Sequence, residues 1–237
     1  MRAIASLLLA AVVQLATAQD KPTRMDHSAW DLLLRKYVST AGAVDYTGIK
    51  ADLTFERYLG SLSRFAPQDA WTADDKKAYW INAYNAYTVK LVCDNLPLKS
   101  IRDIGEPWKK KFIKIGGEMM DLDHIENGIL RKEFDDPRIH FAINCASVSC
   151  PSLLNQAYHA RTLNAQLDEA TKRFINDPLR NKLGAEKMQL SSIFDWFKAD
   201  FTKAGTVVQF IQRYTEVKLA ANAAISYLEY DWGLNGK

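Results

Sequence analysis

His140, Cys145 and Cys150 stand in one stretch, Arg138-Ile139-His140-Phe141-Ala142-Ile143-Asn144-Cys145-Ala146-Ser147-Val148-Ser149-Cys150-Pro151. No other segment concentrates so much reactive chemistry. A thiol acts as a nucleophile when a base takes its proton and N–H donors receive the oxyanion that follows attack. Cys145 heads the small residues Ala146-Ser147, where an apolar run gives way to a loop. Such a loop exposes a thiol and surrounds it with backbone N–H groups. Cys145 is therefore the candidate nucleophile and His140 its candidate base. On a regular strand these two side chains face opposite sides, so a bulge or bend must bring them together. His124 and His159 are alternative bases from other segments.

The same atoms support other uses. Cys145 and Cys150 enclose four residues, and a disulfide between them requires Cα atoms within ~4.4–6.8 Å. That bridge would staple the loop, remove the nucleophile and leave Cys93 as a buried thiol. Zinc could draw on Cys145, Cys150, His140 and His124. The Cys-x4-Cys spacing is loose and no second pair closes a tetrahedron, so no metal site is assigned. A histidine on an apolar segment also fits a core residue satisfied by a carbonyl. Arg138, Asn144 and Ser147 flank the reactive residues and read as binding or site-supporting groups. Ser147, Ser149 and Ser152 form no Gly-x-Ser-x-Gly elbow. No phosphate-binding glycine loop occurs, so no nucleotide cofactor is expected.

Several elements must position this stretch. Thr72-Ala73-Asp74-Asp75 is a capping box that opens the longest helix, about 73–93, which Pro97 ends. The helix is apolar almost all round, which makes it central. Its exceptions, Asn82 and Asn85, share one face with Ala86, Val89 and Cys93. Buried amides are costly unless bonded, so that face must meet irregular backbone rather than plain core. Ile139–Asn144 reads as a buried central strand packed near this helix. Phe112–Ile115 and Met119–Leu122 flank Gly116-Gly117 and predict a β-hairpin. Asp123 reads as the cap of a helix with Glu126 three residues on. Met188–Leu190 is a short strand, and further helices are expected around Leu163–Phe174, Ile193–Phe201, Val207–Tyr214 and Ala220–Tyr227. Helices outnumber strands, and the βαβ rhythm is absent. The fold class is α+β: a single compact helix-rich domain over residues 19–237 with a small, mostly antiparallel sheet.

The first residues form an export signal. Arg2 is a positive n-region, Ile4–Val13 an uncharged apolar run, and Ala16-Thr17-Ala18 a small-x-small cleavage site. The run is too short to span a bilayer. A signal peptide over residues 1–18 and a secreted or periplasmic mature chain follow. The formal net charge of +3 over 237 residues does not point to nucleic acid. Export favours thiol oxidation, which sharpens the question of the Cys145–Cys150 pair.

Trp80-Ile81-Asn82-Ala83-Tyr84-Asn85-Ala86, Leu122 to Arg131, Arg138 to Ala146, Ser149-Cys150-Pro151 and Tyr230-Asp231-Trp232-Gly233-Leu234-Asn235 occur in this order. Together they resemble domain-of-unknown-function family 547, over about Trp30 to Asn235. Family members often carry an acid where this chain has His124 and a histidine where it has Asn127. The resemblance thus argues against His124 or Asn127 as an indispensable catalytic group. It implies exported bacterial relatives and no established reaction. A central helix followed by a histidine-bearing segment is also similar to the core order of papain-like and transglutaminase-like proteins. There the cysteine opens the helix, whereas here the helix offers Asn82 and Asn85.

Two functions are expected. One is an exported domain that binds a peptide, protein or cell-envelope ligand at the His140–Cys150 segment, beside the Asn82/Asn85 face. The other is a cysteine-dependent hydrolase or acyltransferase with Cys145 as nucleophile and His140 as base.

Overall fold

In the computed structural model, which describes residues 24–236, the helix that opens after Thr72 is the axis of the fold. The signal peptide read at residues 1–18 lies outside the described residues. Helices α1 (Ser28–Tyr37), α2 (Tyr46–Ala51) and α3 (Leu53–Arg64) precede the axis, α4 (Ala73–Asn95). Thr72 and Asp75 cap α4 reciprocally, each side chain bonding the other's backbone N–H. Ala78 through Val89 are buried without a break, so α4 has no solvent face over that span. On one side Trp30 of α1 stacks on Phe55 and Tyr58 of α3, with ring centroids 5.9 and 5.5 Å apart.

The glycine hairpin forms as expected. β1 (Ile113–Ile115) and β2 (Glu118–Met120) pair antiparallel, with Gly116 and Gly117 at positive φ in the turn. A π-helical segment, His124–Leu130, then runs into α5 (Arg131–Phe134). Asp121, not Asp123, caps it, its Oδ1 accepting from His124 N at 2.8 Å. Residues after α5 build a second core. It comprises α6 (Leu163–Ile175), β3 (Lys187–Leu190), α7 (Ile193–Trp196), α8 (Lys198–Phe201), α9 (Val207–Gln212) and β4 (Ala224–Tyr227). Phe141, Phe174, Phe194, Phe201 and Phe210 fill it, with neighbouring centroids 4.9–6.4 Å apart. Phe141 comes from the reactive stretch itself, so this cluster fixes the site to the C-terminal half.

Two expected elements are corrected. Ile139–Asn144 is not a strand: Pro137–Phe141 is a 3-10 helix, followed by a turn. Asp136 caps it through Arg138 N, and Pro137 occupies the first turn. Every residue from Ile139 to Asn144 is buried, and a short apolar run without alternation does not distinguish a strand from a buried helical turn. Ala220–Tyr227 is not a helix either. Its second half is β4, which pairs in parallel with β3 from Lys187↔Ala224 to Leu190↔Tyr227. Pairing with β3 outweighs the helical propensity of its alanines. The sheet content is thus one antiparallel and one parallel two-stranded ladder, in a helix-rich α+β fold. Among the described residues no helix is long and apolar enough to cross a membrane.

Candidate active site: a thiol pair at an aromatic cavity

The loop that carries Cys145 is held from both sides. On the α4 side, Asn85 Nδ2 donates to Ala142 O at 2.9 Å and its Oδ1 accepts from Asn144 N at 2.8 Å. One turn earlier, Asn82 makes the same double bond to Tyr158, at 2.8 and 3.0 Å. Both amides therefore serve irregular backbone, as their burial requires. Asn144 closes the loop internally: Nδ2 donates to Pro151 O at 2.7 Å and Oδ1 accepts from Ala146 N at 2.9 Å. Ala146 is fully buried at φ +64°, a left-handed conformation that costs a residue with a Cβ about 1 kcal/mol or more. On the other side lies the C-terminal tail. Val148 N donates to Gly233 O, Ser149 N to Asp231 O, and Asn235 N to Ala146 O.

These supports place Cys145 on the wall of a cavity of about 220 Å³. Tyr84, Trp108, Trp196, Phe197, Tyr230 and Trp232 supply its aromatic surface, and Glu126 and His140 its ionisable groups. Cys145 Sγ lies 3.0 Å from Cys150 Sγ, 3.2 Å from Ser147 Oγ and 3.5 Å from Tyr230 OH. The thiols are unbonded, and their separation is about 1 Å beyond a disulfide bond of ~2.05 Å. Cys145 N also points at Cys150 Sγ, at 2.9 Å. Both cysteines line the cavity; Cys150 is buried, whereas Cys145 keeps a partly exposed face.

The electrostatics separate the two thiols. Hydrogen bonds from Cys150, Ser147 and Tyr230 outweigh burial and hold the Cys145 thiol below the ordinary cysteine range. Burial, reinforced by Cys145 beside it, pushes Cys150 well up. Burial likewise raises Tyr230, so its hydroxyl keeps its proton and donates. Across the cavity, burial raises the Glu126 carboxyl to about 7, against the Tyr84 O–H that bonds it at 3.0 Å. A carboxyl poised there exchanges protons readily at neutral pH.

His140 belongs to a different arrangement. Its Nε2 bonds Asp200 Oδ2 at 2.8 Å, and Arg131 Nε donates to the same oxygen at 2.6 Å. Its ring stacks on Phe197, with centroids 4.1 Å apart. Burial lowers the pKa of His140, and the bond from His140 lowers that of Asp200. A neutral imidazole that donates Nε2–H to Asp200 keeps its lone pair on Nδ1. His140 lines the cavity but is not among the hydrogen-bond partners of Cys145.

The other candidates divide by place. Ser147 is buried and joins Cys145 to Tyr230, its Oγ 3.1 Å from Tyr230 OH. Arg138 lies outside the cavity lining and grips Asp136 through Nε and a terminal nitrogen, at 2.9 and 2.8 Å, and Asp168 at 2.8 Å. It ties the 3-10 segment to α6. His124 and His159 are also outside the cavity lining, and His159 sits 3.9 Å from Asp31. Glu126, Asp200, Tyr84, Tyr230 and Trp196 are site residues that sequence reading did not single out. The nearest signal was Glu126 three residues after Asp123, which reads as a cap. In the structure its carboxyl turns inward to Tyr84, and Asn127 occupies Asp123 instead. The π-helical winding that carries Glu126 is the kind of irregularity found at functional sites.

No curated protein and no solved structure matches the chain. The family model that matches is described as protein of unknown function, DUF547. Its match includes α4, Glu126, His140 and both cavity thiols, whereas Trp196, Asp200, Tyr230 and Trp232 lie beyond it. Over residues 68–175 the chain is similar to the DUF547 family.

Proposed function

We propose that the chain is an exported cysteine-dependent hydrolase or acyltransferase that takes a peptide, protein or cell-envelope ligand in the aromatic cavity. The observation that carries this reading is Cys145 Sγ at the cavity wall, within 3.5 Å of two hydroxyls and a second thiol. Those donors favour thiolate, the nucleophilic form. In this reading Cys145 attacks an acyl carbon and forms a thioester. The leaving group takes its proton from Glu126, which then takes one from water or an acceptor alcohol or amine as that group attacks the thioester. His140, tied to Asp200 and packed on Phe197, braces the wall and does not act as the base. The binding half of the reading rests on Trp108, Trp196, Tyr230 and Trp232, whose neighbouring ring centroids lie 4.6–5.8 Å apart. Trp196 is 48% exposed, an apolar surface open to a ligand.

The test is acylation by short-chain p-nitrophenyl esters, followed by intact mass and peptide mapping. Wild-type protein should acquire an acyl group on Cys145 and release it. Cys145→Ser should acquire none there, and Glu126→Gln should acylate but release slowly. Failure of reduced wild-type protein to acylate at Cys145 across the ester series would overturn the reading.

A further inference from the structure

The pair of sulfurs has a geometry that acyl transfer does not require. A nucleophilic thiol needs one sulfur at the cavity. Here a second, buried sulfur stands 3.0 Å from it, with the Cys145 N–H directed at that second sulfur. We propose that Cys145 and Cys150 form a thiol–disulfide exchange couple, in which Cys145 attacks a disulfide entering the cavity and Cys150 resolves the mixed disulfide. This goes beyond the acyl-transfer reading and does not depend on it, because it uses only the two sulfurs and access to one of them.

The roles follow from position. Both sulfurs belong to the cavity lining, but Cys145 is partly exposed and Cys150 is buried, so an incoming disulfide meets Cys145 first. Cys150 is 4% exposed, and its sulfur lies 3.0 Å from that of Cys145. At Cys145 hydrogen bonds from Cys150, Ser147 and Tyr230 favour thiolate, whereas at Cys150 burial outweighs the bonds from Cys145 N and Tyr230. In the first step Cys145 sulfur bonds one sulfur of the incoming disulfide, the S–S bond breaks, and the other half leaves as a thiolate. In the second step Cys150 sulfur bonds Cys145 sulfur, the mixed disulfide breaks, and the first half leaves. The protons given up by Cys145 and Cys150 pass to the two departing thiolates. The incoming disulfide is reduced by two electrons, and the protein dithiol is oxidised by two. Closure needs about 1 Å of approach between sulfurs already in contact. The loop tolerates so short a span because the Asn144 side chain already folds it back on Pro151 and Ala146. A closed pair also caps the nucleophile of the acyl-transfer reading, and a reductant restores it.

Cys93 serves as an internal control. It is buried in α4, its Sγ donates to Tyr46 O at 3.4 Å, and burial pushes its thiol up to about 12.

The experiment uses reduced full-length protein and oxidised glutathione as the probe, quenched with acid, alkylated and mapped by mass spectrometry. Wild type should lose the Cys145 and Cys150 thiols together, retain no glutathione and keep Cys93 free. Cys150→Ser should instead accumulate glutathione on Cys145. Cys145→Ser should react at least tenfold more slowly than wild type. A wild-type protein that keeps glutathione on Cys145 while Cys150 remains alkylatable overturns the proposal. So does a Cys150 that reacts faster than Cys145. The wild-type arm decides the matter even where a variant fails to fold. Acylation by p-nitrophenyl esters is read separately, so loss of exchange with acylation intact removes this inference alone.

Discussion

Asn85 Oδ1 accepts the N–H of Asn144 at 2.8 Å, and through that bond the central helix sets the backbone that leads into Cys145. The same side chain takes Ala142 O at 2.9 Å, so one amide satisfies a buried donor and a buried acceptor. Asn85→Ala should orphan both. At ~1–3 kcal/mol for each orphaned group, the loss of stability should be about 2–6 kcal/mol by denaturant unfolding. Asn82→Ala should cost a similar amount, because it orphans Tyr158 in the same way. The two should separate in a second readout. Asn85→Ala should change the alkylation rate of Cys145 in folded protein, and Asn82→Ala should leave it unchanged.

The Cys145 thiol should ionise below the ordinary cysteine range, whose reference is about 8.5. Iodoacetamide labelling of Cys145, followed by peptide mapping across pH, should therefore rise at lower pH than labelling of a free cysteine. Removing a donor destabilises the thiolate and moves the rise upward. Cys150→Ala should produce the largest upward movement, since its hydrogen bond contributes most. Ser147→Ala and Tyr230→Phe should move it less, in the same direction. A downward movement in Tyr230→Phe would contradict the assignment of that hydroxyl as a donor.

Burial raises Glu126 from an ordinary carboxylate value to about 7. The folded state therefore binds a proton that the unfolded state has released between about pH 4.5 and 7. Where the folded state holds more protons, stability falls as pH rises. Below that window Glu126 is neutral in both states and costs nothing. Above it the full penalty applies, roughly 2–3 kcal/mol at 1.36 kcal/mol per pH unit, somewhat reduced by partial exposure. Glu126→Gln should remove this contribution. The difference in unfolding free energy between variant and wild type should grow in favour of the variant from pH 4.5 to 7, then level off.

Ala146 is held at φ +64° beside Cys145 while fully buried. Glycine adopts that backbone freely but is more flexible when unfolded and loses the buried methyl, so Ala146→Gly should be close to neutral. Ala146→Val should be severe, about 3 kcal/mol or more, because a β-branched side chain is strained at positive φ and has no room in a buried site. Thermal unfolding of the two variants checks the contrast. Equal destabilisation by both would show that the methyl, and not the backbone angle, matters at this position.

How much of this was legible in the sequence depends on whether a residue's cost was local. Asn82 and Asn85 announced themselves, since two amides on an apolar helix face must find irregular backbone. The structure supplies it at Ala142, Asn144 and Tyr158. Thr72–Asp75 and Gly116-Gly117 were legible for the same reason: capping and turn geometry depend on a few adjacent residues. The 3-10 winding of Pro137–Phe141 was hidden because burial on every side erases periodicity. Asp200 and Tyr230 were hidden because they reach the site from 60 residues beyond His140 and 85 beyond Cys145. Only tertiary packing decides which distant carboxylate or hydroxyl arrives. Glu126 misled for a subtler reason: its spacing from Asp123 satisfies a capping rule that the π-helical segment does not use.

The DUF547 match ends at residue 175, and the site does not. Phe141 packs on Phe194, Phe201 and Phe210, and the Cys145 loop takes backbone bonds from Gly233, Asp231 and Asn235. At the other end, α4 needs Trp30, Phe55, Tyr58 and Leu62, all buried in the same core. A fragment of residues 68–175 therefore leaves the apolar surface of α4 and Phe141 uncovered. Each such large side chain forfeits about 1.5–3 kcal/mol of burial, and a domain's whole stability is ~5–15 kcal/mol. The fragment should show no cooperative thermal transition and should be cut rapidly by protease. The chain from residue 24 onward should unfold in a single transition in which the aromatic signals of Trp30 and Trp232 disappear together. A fragment of residues 68–175 that melts cooperatively would show that the C-terminal wall of the cavity is an addition to the fold and not part of it.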